Sequence, residues 1–286
     1  MPTSLSALPI RALTMGDLMS CADLAEDRGW AREEHKWSLL LTAGTGYGIT
    51  DPEDPEGKRL AAAVVTTPYG SQLTAIGLML VAQRHARKGL GRRLMSHVLR
   101  EAAPAPLALW ATPYGQPLYQ QLGFIGVGTV EKLSGHLCPP VSVASVTTRP
   151  ATAEDLPAII RLDTEASGVD RTPLLTRLPA FADRLRVSEE GAILTGYAAA
   201  WPTPEADVIG PLVAQDTEVA KALVASLARP DRPIRLHLDS RHQGLLDWGR
   251  EHGLVSGALT TTMVHGLPDL PGDWKRRFAQ LSLATG

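Results

Sequence analysis

Between Leu73 and Ala102 the chain reads LTAIGLMLVAQRHARKGLGRRLMSHVLREA, an apolar run that breaks into a basic glycine loop and restarts with helical periodicity. Leu73 to Val81 has the composition of a buried strand. Leu90, Leu94 and Val98 recur at four-residue spacing, which sets them on one helical face. Gly89 and Gly91 allow a tight turn and leave room for a ligand against the backbone. The first helical turn then offers unpaired N–H groups and the positive end of a helix dipole. Arg87, Lys88, Arg92 and Arg93 add positive charge around it. Strand, loop and helix in this order predict an α/β fold and a site for a diphosphate or another polyanion.

Two nucleotide loops fit poorly. A Rossmann loop needs a third glycine and belongs to the first strand–helix unit, and this loop lies far into the chain. A Walker loop needs Lys-Ser or Lys-Thr after its second glycine, where Arg92-Arg93 stands here. A solvated basic loop ahead of an amphipathic helix is the plain alternative for this segment taken alone.

The following segment narrows the choice. Leu107 to Ala111 (LALWA) is a second short apolar strand, followed by TPYGQPLYQQLGF with Thr112, Tyr119, Gly123 and Phe124. Residues 73–128 here resemble the GNAT superfamily of acyl-CoA-dependent N-acyltransferases. The resemblance rests on the family's motif A, Ala86-Arg87-Lys88-Gly89-Leu90-Gly91, and on its motif B, ending Tyr119-Gln120-Gln121-Leu122-Gly123-Phe124. The wording around Arg28-Gly29-Trp30 and ATPYGQPLY is similar to a bacterial branch with two GNAT-like halves in one chain. One departure stands out. The family loop usually opens with Arg or Gln three residues before its first glycine, and this chain has Ala86 there.

The second half echoes the first. Arg11-Ala12-Leu13-Thr14-Met15-Gly16-Asp17-Leu18 returns as Arg149-Pro150-Ala151-Thr152-Ala153-Glu154-Asp155-Leu156, and Ile76 to Gln83 returns, one residue shorter, as Ile209 to Gln215. Leu122-Gly123-Phe124 returns as His252-Gly253-Leu254. Echoes in the same order argue for a duplicated domain. The expected architecture is two tandem GNAT-like domains, each a mixed, mostly antiparallel sheet flanked by helices. Residues 1–137 form the catalytic domain, 138–145 a linker carrying Pro139-Pro140, 146–266 a degenerate domain and 267–286 a tail. In the tail, Trp274, Phe278 and Leu281 are available to pack back on a domain. The halves diverge at the loop. After Gln215 come Asp216-Thr217-Glu218, with no glycine pair, and Gly249 stands where Tyr119 would be. Carboxylates at a helix start favour the helix and repel a diphosphate, so one cofactor site is expected.

Composition bounds the partners. The chain is 44% hydrophobic with a net charge of −2, which argues against bulk nucleic-acid binding. No apolar run reaches the ~18 residues of a membrane span. The start lacks a basic segment followed by an apolar core, so a cytoplasmic protein is expected. Two cysteines, Cys21 and Cys138, do not suggest a disulfide framework. His237, Asp239 and His242 have no fourth ligand or supporting signal, and no metal is expected.

The resemblance implies the chemistry: acetyl-CoA as cosubstrate and direct attack by a primary amine, with the branch pointing to a small-molecule acceptor. Backbone groups of Met79, Leu80 and Val81 would bond the pantetheine arm and acyl carbonyl, and Arg87, Lys88, Gly89, Leu90, Gly91 and Arg92 would hold the diphosphate. Tyr119 takes the family's general-acid position. A tyrosine can donate a proton as thiolate basicity develops, and an amphipathic tyrosine packed at a helix end is its plain alternative. Thr112 stands seven residues before Tyr119, where many relatives have Asn; it is a cofactor contact or a helix cap. The strand before the loop has no carboxylate to serve as base. An ordered water, Glu33, Glu34 or His35 could serve, or no base is needed for an amine of low pKa; Trp30 and Trp37 could line an acceptor pocket or pack in the core. Two other functions stay open: acetylation of a protein or peptide amine, and a non-catalytic acyl-CoA-binding regulator.

Overall fold

The computed structural model describes residues 8–138 and 146–286. All but the first residue of the expected linker, including Pro139-Pro140, lies outside the described residues. The first half runs β1 (Arg11–Leu13), α1 (Leu18–Asp27), α2 (Glu34–Ala43), β2 (Thr45–Thr50), β3 (Leu60–Tyr69), β4 (Leu73–Val81), α3 (Leu90–Glu101), β5 (Leu107–Ala111), α4 (Gln116–Gln121) and β6 (Ile125–Gly135). The second repeats it: β7 (Thr148–Pro150), α5 (Leu156–Ser167), two short helices α6 (Thr172–Leu175) and α7 (Leu178–Phe181), β8 (Arg184–Glu190), β9 (Ile193–Pro202), β10 (Asp207–Ala214), α8 (Thr217–Leu227), β11 (Ile234–Asp239), α9 (Gln243–Glu251) and β12 (Val255–His265). A last strand, β13 (Arg277–Ala279), lies in the tail.

The duplicated openings are held by the same chemistry. Arg11 forks onto Asp17, whose carboxylate also accepts from the Thr14 N–H at 2.8 Å. Arg149 forks onto Asp155, which accepts from the Thr152 N–H at 2.7 Å. In each half this capping box satisfies orphan N–H groups at the start of the first helix. The predicted helix after the glycine loop is α3, which buries Leu90, Leu94, Met95 and Val98.

All thirteen strands form one mixed, mostly antiparallel sheet, in the order β1-β2-β3-β4-β5-β12-β6-β11-β13-β10-β9-β8-β7. The halves therefore exchange their last strands. β12 lies beside β5, and β6 lies between β12 and β11. One core cluster takes Tyr69, Leu73 and Ala108 from the first half and Ile159, Leu162, Tyr197 and Trp201 from the second.

The tail is built into this sheet. β10 and β11 pair in parallel only over Asp207–Ile209 and Ile234–Leu236, then part. β13 enters the gap, with Ala279 opposite both Leu212 and Leu238. Buried polar bonds fix the residues beyond β13. Trp201 Nε1 donates to the Leu281 carbonyl at 3.1 Å, Tyr69 hydroxyl donates to the Thr285 carbonyl, and Arg171 Nη1 donates to the Gly286 carbonyl at 2.6 Å. Arg171 also forks onto the fully buried Asp163, which accepts from the Tyr197 hydroxyl as well. Arg171→Ala strands Asp163 without its cation, and breaking a buried pair this way costs about 3–5 kcal/mol. Urea denaturation should show a loss of that size; a loss within the range of an ordinary surface substitution would mean that this pair does not anchor the tail.

Candidate active site

β4 and β5 pair in parallel only over Thr74–Ile76 and Leu107–Leu109. Beyond Ile76 they separate, and the gap opens into a cavity of about 1110 Å³. At the parting point a Cβ on Gly77 would collide with Ala284, so the tail forms the floor of the gap. Just beyond it, Leu78 and Met79 both stand opposite Val64, and Leu78 takes φ 48°. A leucine in the left-handed region is strained. The bulge turns this stretch of backbone out of the regular ladder, toward the cavity.

The glycine loop closes one end. Gly89 caps α3 at φ 85°, a conformation that disfavours any side chain. A Cβ on Gly91 would come within 3.3 Å of Leu118. Of the residues expected to bind cofactor, Met79, Leu80, Val81, Arg87, Gly89, Leu90, Gly91, Arg92 and Thr112 line the cavity. Lys88 does not; it borders a separate basic groove with Arg93 and Arg100. The Thr112 hydroxyl accepts from the Gly115 N–H at 3.3 Å at the start of α4.

An unforeseen cluster braces the loop. Asp51 is fully buried and accepts from Arg84 Nε at 2.7 Å, from His85 Nε2 at 3.0 Å and from the Glu53 N–H at 3.0 Å. Arg84 and His85 belong to the turn that leads into the loop, and Gln83 N–H ties that turn to Asp27 at the end of α1. Burial pushes the Asp51 carboxyl up, but the Glu53 amide, His85 and Arg84 outweigh it and bring the pKa down to about 2.

Tyr119 projects from α4 into the cavity and is 9% exposed. Burial pushes its phenol up to about 12, so it stays protonated at neutral pH. Among the described residues none hydrogen-bonds the Tyr119 hydroxyl. Trp30 and Glu33 line the cavity, Glu33 paired with Lys36. Glu34 and His35 do not line it. Glu34 accepts from Arg32 Nε at 2.8 Å, and His35 stacks on Phe181 and bonds its carbonyl at 2.7 Å. Glu33 stands at the cap before α2, and the first turn of the helix carries Glu34 and His35 away from the cavity and brings Lys36 to it. His237, Asp239 and His242 are also separated: His237 faces the cavity, Asp239 pairs with Arg241, and His242 bonds the Arg277 carbonyl at 2.9 Å in the tail.

Models described as acetyltransferase (GNAT) domains match residues 56–138 and 159–279. The Bacillus subtilis (strain 168) protein YitH, described as an uncharacterized N-acetyltransferase, is 33% identical over 231 residues, 78% of this chain and 79% of that protein. This chain belongs to the GNAT acetyltransferase family. It is an acyl-CoA-dependent acetyltransferase with two GNAT domains in tandem. The fold is shared with a crystal structure from Pyrococcus horikoshii, with TM-score 0.82 and 18% identity over 98% of this chain and 96% of that one. A tandem GNAT protein from the clavulanic acid biosynthesis pathway superposes with TM-score 0.66 and 14% identity over 92% of this chain and 100% of that one. Among the described residues no helix is long and apolar enough to cross a membrane.

The second GNAT domain has the same parted strands with different contents. Asp216 caps α8, accepting from the Val219 N–H at 2.9 Å, where the first domain leaves its glycine loop open. Pro211 follows Gly210 in the matching bulge and has no N–H to offer. β13 fills the gap itself, and Gln280 carbonyl lies against Gly210.

The Asp51 cluster gives a pH signature. Its folded pKa lies below the ordinary 3.8, so its contribution to stability is complete above about pH 4 and is lost as pH falls toward about 2. Asp51→Asn should be less stable at neutral pH and should lack that part of the acid limb. Acid titration of wild type and mutant by circular dichroism checks this; parallel curves would exclude Asp51 as the brace.

Proposed function

We propose that the first GNAT domain holds acetyl-CoA and that the chain passes its acetyl group to a primary amine of a small molecule, with Tyr119 as the general acid. The observation that carries this reading is the continuity of one cavity. It runs from the glycine loop, past the bulge of β4 and Tyr119, to a chamber lined by Glu33. The residues fit the cosubstrate. Backbone N–H groups at the start of α3, with Arg87 and Arg92, suit a diphosphate. The parted edges of β4 and β5 suit an extended arm that bonds as a strand does. Acetyl-CoA supplies the activated acyl group.

The bulged backbone at Leu78–Met79, which lines the cavity, would donate to the acyl oxygen as negative charge develops there. Tyr119, neutral and without a competing partner, donates to sulfur as the carbon–sulfur bond breaks. With its pKa at about 12, the phenol gives up its proton only late, against well-developed thiolate charge. Glu33, which lines the same cavity, would receive the proton lost by the acceptor ammonium, directly or through water.

Thiol release from acetyl-CoA, followed with and without a broad amine panel, tests the reading. Release that requires a small-molecule amine supports it, and release that occurs only with protein or peptide amines would move the acceptor to that class. Tyr119→Phe removes only a donor used in the transition state, so kcat should fall by ~10²–10⁴-fold with little change in the acetyl-CoA KM. A mutant within about twofold of wild type in single-turnover chemistry would end the acid role.

Calorimetric titration should give one acetyl-CoA per chain, because Asp216, Pro211 and β13 together block the second domain's gap. Asp216→Ala with Glu218→Ala should leave the affinity nearly unchanged. Two equivalent sites would mean that the tail strand yields to cofactor.

A further inference from the structure

At the far end of the cavity the lining passes to side chains carried by the exchanged strands. Lys132 on β6 is directly opposite His237 on β11, and Arg235 lies two positions before His237 on the same face. Lys36 from α2 reaches the same chamber. Two of these cations have partners. Lys36 pairs with Glu33, and Arg235 pairs with Glu205 at 2.7 Å and lies 3.9 Å from Glu33. Lys132 has no carboxylate partner among the described residues. The strand beside it makes room for it: Gly257 lies in a bulge of β12, and a Cβ there would meet Lys132 Cε at 2.5 Å.

The chamber therefore sets three cations against two carboxylates, and one of these, Glu205, is 67% exposed at the rim. His237 does not add to the charge. Burial, with Arg235, Lys36 and Lys132 nearby, pushes its imidazole down to about 3, and its buried Nδ1 has no partner. A surplus of positive charge in a partly desolvated chamber is costly unless an anion enters.

We propose that the chamber selects acceptor amines that carry an anionic group, a carboxylate or a phosphate-type group, held by Lys132 and Arg235 beside His237. This rests on the acetyltransferase reading of the same cavity and narrows its acceptor. Lys132, which has no carboxylate partner among the described residues, offers a mobile point charge, and Arg235, already held by Glu205 and near Glu33, adds positive charge beside it. Glu33 lines the same chamber, paired with Lys36 and 3.9 Å from Arg235.

The test is kcat/KM for matched acceptors: γ-aminobutyrate, its amide, 3-aminopropylphosphonate, and shorter and longer homologues of each. The anionic members should exceed the amides by about 10- to 100-fold, the range expected of a charge-assisted bond. The carboxylate and phosphonate arms tell which oxyanion fits. Lys132→Ala should lower the anionic-to-neutral ratio about tenfold, mainly through KM, and Lys132→Arg should restore it. Acetyl-CoA titration of each variant serves as the fold control. Amides that match or exceed the anionic acceptors, or a ratio that survives Lys132→Ala, would overturn the proposal. Titration with N-acetyl-γ-aminobutyrate separates the two readings. Binding that Lys132→Ala weakens about tenfold or more supports the anion subsite even where no amine releases thiol, a result that removes only the transferase reading. Neither binding nor turnover would remove both.

Discussion

A sheet whose parallel strands part in mid-course leaves two rows of backbone donors and acceptors without partners. Such groups are costly when buried. This chain has two such gaps, one between β4 and β5 and one between β10 and β11. The second is closed from within by β13, which pairs with both edges. The first stays open above a floor made by Ala284. The same tail thus completes one domain and bounds the cavity of the other. The duplicated fold could lose its second glycine loop and its second tyrosine without losing the sheet, because the edge pairing that a bound arm would satisfy is supplied by the chain.

Strand exchange makes the two domains one body. β6 leaves its own half to lie against β11, and β12 takes its place beside β5. The acceptor chamber results from that exchange. Lys132 comes from the first half, Arg235 and His237 from the second, and they meet because β6 and β11 are neighbours. Separate domains of the same sequence would place Lys132 and His237 on different sheets.

What the sequence made legible was local. The glycine loop, the face of α3 and the paired Arg-Thr-Asp openings are each fixed within a few residues, and the capping boxes at Thr14 and Thr152 arise from spacing alone. Tyr119 and the blocked loop at Asp216 came with the family motif and its echo. The rest depends on contacts distant in sequence. Asp51 meets Arg84 and His85 only because β2 and β3 bring the loop turn back to it. β13 is three residues long and has no period to read. The expected boundary between two self-contained domains did not anticipate the exchange, since an exchanged strand and a retained one have the same alternation. For Glu33, Glu34 and His35 the residue types were informative and the helical phase was not.

The chamber's charge bears on the missing strand carboxylate. An acceptor amine must reach the thioester without its proton, and its ordinary pKa keeps it charged at neutral pH. Cations near an ammonium disfavour its charged form. Lys36, Lys132 and Arg235 line the proposed acceptor end of the cavity, and they add to the burial that keeps His237 neutral. When the acceptor's anionic group neutralises part of this field, binding is favoured, while the remaining cations still ease proton loss from the amine. Glu33, paired with Lys36, then needs to accept a proton from a weakened acid rather than an ordinary ammonium. On the proposed reading, the arrangement that recognises the acceptor would also reduce the demand on the base, a physical reason for a strand that carries none.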